Sequence, residues 1–138
     1  MLTPRDLAAL HGACFTTPRA WKADEFQSLI ASPLVFLVGD ASGFAMGRVI
    51  AEDAELLSIA VHPNAQGRGL GRHWLKAFED TAKTRGATIA FLEVSVKNTS
   101  AISLYESEGY CESGLRSGYY RAPNGTRVDA RMMQKDLT

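Results

Sequence analysis

The stretch Gln66-Gly67-Arg68-Gly69-Leu70-Gly71 has the composition of an anion-binding turn. Glycine has no Cβ, so it accepts backbone angles that other residues avoid and lets a ligand approach the main chain closely. Several N–H groups can then point into one concavity at the positive end of the following helix, which suits a phosphate or pyrophosphate. Arg68 and Arg72 add positive charge at the same end. A plain turn before an amphipathic helix is the simpler alternative. Two nucleotide-binding patterns do not fit. A Walker A loop needs Gly-Lys-Ser/Thr, whereas Arg72 and His73 follow Gly71. A dinucleotide fingerprint needs G-x-G-x-x-G early in a βαβαβ array, and the spacing here is G-x-G-x-G.

Two further residues have chemistry to offer. In Ile89-Ala90-Phe91-Leu92-Glu93-Val94-Ser95-Val96, alternation puts Glu93 on the face of Ile89 and Phe91. A carboxylate in so apolar a strand usually has a partner or a task; the plainer readings are a Glu at the solvated strand end or one paired with an Arg. Downstream, Asn98 can cap a helix whose inner face carries Ala101, Leu104 and Tyr105 at i, i+3 and i+4. Tyr105 is then most simply core packing, unless its position beside the glycine turn and Glu93 gives it a task.

The elements that must carry these residues read in the order ααβββαβαββ. Thr3-Pro4 opens a first helix with Leu7 and Leu10 on its inner side, and Lys22 to Ile30 forms a second. Leu34–Val38 and Phe44–Ala51 are strands around a Gly39–Gly43 turn. Glu52-Asp53-Ala54-Glu55 reads as a solvated acidic turn, or as an attractor for a basic peptide, before the buried strand Leu56–Val61. Leu70, Trp74, Leu75, Phe78 and Ala82 line one side of a long helix that Gly86 ends. Thr88–Val96 is a strand, Asn98–Glu108 a helix, and Tyr110–Tyr120 with Arg127–Lys135 a closing antiparallel pair. One strand–helix–strand unit inside hairpins implies one parallel pair, which brings the glycine turn, Glu93 and Tyr105 to the same edge of the sheet.

Together these residues resemble the GCN5-related N-acetyltransferases. Gln66-Gly67-Arg68-Gly69-Leu70-Gly71 matches that family's Q/R-x-x-G-x-G/A motif, and Asn98-Thr99-Ser100-Ala101 with Leu104-Tyr105-Glu106 and Gly109-Tyr110 matches N-x-x-A-x-x-L-Y-E-x-x-G-F/Y. Phe91-Leu92-Glu93-Val94, Tyr119-Tyr120 and Asp129-Ala130 are similar to its RimI branch, which acetylates the N-terminal alanine of a ribosomal protein. The similarity runs from about Leu7 to Leu137.

The resemblance implies an α+β fold, layered α/β/α: a mixed, mostly antiparallel sheet with a central parallel pair splayed for acetyl-CoA and helices on both faces. The family's first strand is expected to be absent, because only Met1 and Leu2 precede Thr3. It implies direct transfer of an acetyl group from acetyl-CoA to an amine, with Glu93 as proton acceptor and Tyr105 as proton donor. Gln66, Gly67, Arg68, Gly69, Leu70, Gly71, Arg72 and Asn98 would hold the co-substrate, with the backbone of Ile59, Ala60 and Val61 along its pantetheine arm. The expected acceptor is a protein N-terminus. An acetyltransferase for small amines and a non-catalytic acyl-CoA sensor are the alternatives.

Composition agrees with that class. The chain of 138 residues is expected to form one domain, with 46% hydrophobic and 22% charged residues, near the globular average. Fifteen basic residues balance 15 acidic ones, which argues against a general nucleic-acid or anionic-membrane binder. Arg5, Asp6 and His11 interrupt any leader-like stretch, and Leu29–Val38 is too short to span a bilayer. Cys14 and Cys111 have neither metal-like nor CxxC spacing, so reduced thiols and a cytoplasmic site are expected. His11, His62 and His73 make no metal pattern and read as surface or turn residues; no metal is expected. Oligomeric state, monomer or dimer, is left open.

Overall fold

The computed structural model describes residues 2–14 and 20–138. α1 (Pro4–Cys14) starts at a reciprocal cap, in which Thr3 N–H donates to Asp6 Oδ2 at 2.9 Å and Asp6 N–H to Thr3 Oγ1 at 3.1 Å. α2 (Ala23–Ile30) starts where Lys22 N–H donates to Glu25 Oε1 at 3.0 Å and buries Phe26. Three antiparallel strands follow: β1 (Val35–Asp40), β2 (Gly43–Ile50) and β3 (Asp53–Val61). α3 (Leu70–Thr84) crosses over to β4 (Ile89–Ser95), which lies parallel to β3. α4 (Thr99–Ser107) leads to the hairpin of β5 (Cys111–Arg121) and β6 (Arg127–Asp136).

The six strands form one sheet in the order β1-β2-β3-β4-β6-β5. α3 and α4 cover one face, where Trp74, Leu75, Phe78 and Tyr105 pack on Ala54, Leu56, Ala90, Leu92 and Val94. α1 and α2 cover the other, where Leu7, Leu10 and Phe26 pack on Phe44, Met46 and Ala60. The layered α/β/α architecture read from the sequence is therefore present. Among the described residues no strand precedes α1, and β1 is a sheet edge.

The acidic turn is a correction. Only Ala51 and Glu52 turn between β2 and β3, with Ala51 left-handed at φ 54°. Asp53 and Glu55 belong to β3, paired with Ile50 and Arg48 of β2 on one side and with Ile89 and Phe91 of the parallel neighbour on the other. Glu55 is half-buried and paired with Arg48 at 2.7 Å.

Two features open the sheet in the middle. The β3–β4 ladder covers only Asp53–Ile89, Ala54–Ala90 and Glu55–Phe91, after which the strands part. Immediately beyond, Gly47 faces Leu56 while Met46 faces Ser58, so Leu57 is an extra residue in β3. A bulge bends and twists its strand. It also swaps the faces: Ala54 and Leu56 look to α3, whereas past the bulge Ile59 and Val61 do. β3 stays with β2 and β4 stays with β6, which leaves a cleft between Leu56–Val61 and Leu92–Ser95.

Candidate active site

One side of the cleft is built on the glycine turn. Gly67 and Gly69 have φ of 80° and 75°, and a Cβ placed on either would meet nothing within 4 Å. The backbone conformation, not crowding, is what selects glycine, and the outer side of the turn is open. Gly69 is the N-cap of α3 and, among the described residues, no side chain caps this end. The first helical bond runs from His73 N–H to Gly69 O at 3.0 Å, so the amides of the first turn and the positive end of the dipole face outward.

These glycines, Gln66, Leu70 and Gly71 line one cavity together with Ile59, Ala60 and Val61 of β3 and Asn98, Leu104 and Tyr105 around α4. Gln66 Nε2 and Cys14 Sγ both donate to the Val61 carbonyl at 3.2 Å, which ties the turn and α1 to the strand end. Asn98 Oδ1 caps α4 by accepting from Ala101 N–H at 3.2 Å. The two arginines are placed differently. Arg72 bridges α3 to α4 through Ser107 at 3.2 Å and Glu108 at 3.4 Å. Arg68 is exposed, and neither arginine lines the cavity.

A second cavity, about 340 Å³, lies through the cleft toward α1. On β4, Ala90, Leu92 and Val94 point into the α3 core, which turns Phe91 and Glu93 the other way. Glu93 therefore lines this second cavity, where Arg116 Nε of β5 lies 3.3 Å from its Oε1. Glu93 is thus paired with an arginine, as the plainer reading expects, and it also faces the cavity. The two cavities share Ile59, Asn98, Ala101 and Tyr105. Tyr105 is thus at the junction, 5% exposed, with its ring 5.8 Å from that of Tyr110. Its hydroxyl has no hydrogen-bond partner among the described residues, and burial, with Tyr120 nearby, pushes its pKa well above the ordinary phenol range. It stays protonated.

Four other residues of this cavity were not singled out from the sequence as site residues. Tyr119 and Tyr120 hang from β5 where its register with β6 shifts, and Gly118 N–H donates to Asp129 Oδ1 at 2.7 Å to hold that irregularity. Burial and the Glu93 carboxylate push the Tyr120 pKa up to about 12. His11 and Trp21, from α1 and the residues before α2, line it too. The surface reading of His11 is overturned, since it is 2% exposed. The signal was in the helix period: His11 lies four residues after Leu7 and shares its inward face. Among the described residues no cluster of His, Cys, Asp and Glu has metal-site geometry, and no helix is long and apolar enough to cross a membrane.

Known proteins share this arrangement. The [ribosomal protein bS18]-alanine N-acetyltransferase of Escherichia coli K12 is 41% identical over 95 residues, 69% of this chain and 64% of that protein, so the aligned part falls short of two thirds of the relative's length. The N-alpha-acetyltransferase RimI of Mycobacterium tuberculosis is 35% identical over 138 aligned positions, covering 94% of this chain and 84% of its own. The crystal structure of the Escherichia coli ribosomal-protein-S18-alanine N-acetyltransferase superposes with a TM-score of 0.87 at 29% identity, over 98% of this chain and 88% of that one. The Acetyltransferase (GNAT) family model matches residues 5–110, from α1 past the end of α4, and the chain belongs to that family.

Proposed function

We propose that the protein transfers the acetyl group of acetyl-CoA directly to the N-terminal α-amine of a protein, of the ribosomal-protein alanine kind. The observation that carries this reading is the meeting of two cavities at Tyr105, one walled by the glycine turn and the other holding Glu93. Two relatives whose names state N-terminal acetylation support the acceptor class. Cys14 and Cys111 are free thiols, in keeping with work in a reducing cytoplasm.

The first cavity fits an acyl-CoA on its own wall chemistry. The uncapped first turn of α3 offers amides and a positive dipole end to a pyrophosphate. The side of β3 that leaves β4 beyond Glu55 has backbone groups with no strand opposite, which suits the amides of a pantetheine arm. When bound, acetyl-CoA supplies an acyl group activated as a thioester.

The chain's own residues then have two proton tasks. A protein α-amine has a pKa of about 7.7–8.0, so roughly a fifth is neutral near pH 7.4, against about a thousandth of a lysine amine. Glu93 therefore needs only to take the proton that the amine loses as the C–N bond forms, directly or through a water. Tyr105 gives its hydroxyl proton to the sulfur as the C–S bond breaks. Phenol-to-thiolate transfer is uphill by about 2 kcal/mol even for an ordinary phenol, so it must accompany loss of the thiol. Both groups recover their starting state by exchange with solvent.

The test is mass spectrometry of a mixed pool: acetyl-CoA with Ala-first basic peptides, blocked-terminus lysine peptides and common small amines. Acetylation of a peptide α-amine is expected. Acetylation of small amines alone would keep the catalytic pair and discard the peptide acceptor. Tight acetyl-CoA binding without any product would leave a sensor.

A further inference from the structure

His11 is buried, yet nothing in the acetyl-transfer chemistry uses it. It sits in the last turn of α1, and its Nδ1 accepts the N–H of Trp21 at 3.0 Å, across the connection to α2. The imidazole also lies flat against the indole, with centroids 5.1 Å apart and an interplanar angle of 19°. Trp21 leans on Phe26 at 5.3 Å, and Phe26 meets Phe44 of β2 edge-on at 5.9 Å. An aromatic ladder therefore runs from the cavity wall into the core beneath α1 and α2. Both of its outer members, His11 and Trp21, line the Glu93 cavity, as do Tyr119 and Tyr120 of β5.

We infer that His11 is a positioning residue for acceptor binding: it fixes Trp21 as an aromatic wall against which the amine-bearing end of the acceptor lies. This rests on the reading of the Glu93 cavity as the acceptor side. A hydrogen bond and a stack act on the same residue, so both the height and the tilt of the indole are set. A part-buried backbone N–H left without its acceptor is costly, so the wall shifts when Nδ1 is removed. Neither residue lines the cavity of the glycine turn, so the effect of the ladder is expected on the acceptor and not on the donor.

The two contributions separate by substitution. His11→Phe keeps a ring to stack but offers Trp21 N–H no acceptor, whereas His11→Asn keeps an oxygen near the place of Nδ1 without the ring. His11→Phe is expected to raise the KM for an Ala-first peptide about tenfold, equivalent to about 1.4 kcal/mol, with kcat and the acetyl-CoA KM within about twofold. His11→Asn is expected to recover part of that loss, and it serves alone if the Phe variant does not fold. A peptide KM unchanged in both variants, in an enzyme that acetylates the peptide, overturns the inference and leaves the proposed activity standing.

Fluorescence gives a readout free of turnover. The chain has two tryptophans, so Trp74→Phe leaves Trp21 as the sole indole. Its emission should respond to an Ala-first peptide with coenzyme A present, and respond less after His11→Phe. A response only to small amines, with small amines alone acetylated, would keep the wall and remove the peptide reading. An indole silent toward every acceptor the enzyme turns over would overturn the wall itself.

Discussion

Arg116 of β5 meets Glu93, Nε to Oε1 at 3.3 Å, while its guanidinium carbon lies 5.0 Å from the centroid of the Tyr119 ring. The pair joins β5 to β4 over the intervening β6, and it couples the carboxylate to the residues that overhang the cavity. Arg116 is half-exposed, so the ion pair contributes little to stability. Its effect is orientation. Arg116→Ala should lower turnover of a peptide acceptor by roughly tenfold through a wandering carboxylate, while the melting temperature hardly moves. Arg116→Lys keeps the charge without the planar fork and should fall between. Faster turnover in Arg116→Ala would mean that the arginine competes with the incoming amine instead of orienting its base.

Tyr105→Phe separates catalysis from folding. The hydroxyl has no protein partner among the described residues, so its removal leaves no orphaned group, and thermal stability should be equal or slightly higher. Turnover should fall by on the order of a hundredfold or more, the usual worth of a positioned proton donor. The acetyl-CoA KM should change little. Unchanged turnover would return Tyr105 to core packing.

The glycine turn makes the complementary prediction. Gly69→Ala puts a side chain at φ 75°, where the space is open but the backbone is strained. The cost is about 1 kcal/mol of stability. Relief of that strain would rotate the amides that open α3, so the acetyl-CoA KM should rise while the peptide KM stays put. Calorimetric titration with coenzyme A checks this without any acceptor.

Legibility from the sequence followed the range of the forces involved. The glycine turn, Glu93 and Tyr105 could be read because each sits on a local pattern: a strand-to-helix turn, a period of two, and an i, i+3, i+4 face. Their convergence followed from one parallel crossover. The start of β3 at Asp53 could not be read, because those acidic residues become a strand only through pairing with Ile50 and Arg48 on one side and Ile89 and Phe91 on the other. The Leu57 bulge has no sequence signature either, yet it coincides with the end of the ladder and so shapes the cleft. Arg72 shows the same limit: its contacts to Ser107 and Glu108 come from a distant segment that no local pattern announces.

Behind Tyr105 stands a buried ionic brace. Glu79 accepts from the Tyr110 hydroxyl at 3.0 Å and from Lys135 Nζ at 3.0 and 3.2 Å, joining α3 to β6. Glu79→Ala would leave an ammonium and a phenol without their acceptor. It should cost about 3 kcal/mol and roughly 10 °C in melting temperature. Because Tyr110 also packs on Tyr105, kcat should fall along with stability. Glu79→Gln retains an acceptor for Tyr110 and should be milder on both counts.

The final prediction concerns His11 and pH. Burial lowers its pKa from 6.5 to about 4, against a smaller upward pull from Glu25. The folded protein therefore holds a neutral imidazole where the unfolded chain would already be protonated. Between these two pKa values the unfolded state binds more protons, so stability rises with pH. The contribution is fully present above about pH 6.5 and is lost as pH falls toward 4. From pH 7.5 to 5.0 the loss amounts to about 2 kcal/mol. His11→Asn cannot titrate there, so its urea midpoint should fall less over the same interval, whatever the carboxylates contribute to both proteins. Equal slopes for the two proteins would mean that His11 is solvated or charged in the folded state. A charged imidazole would also lack the Nδ1 lone pair that accepts from Trp21 N–H.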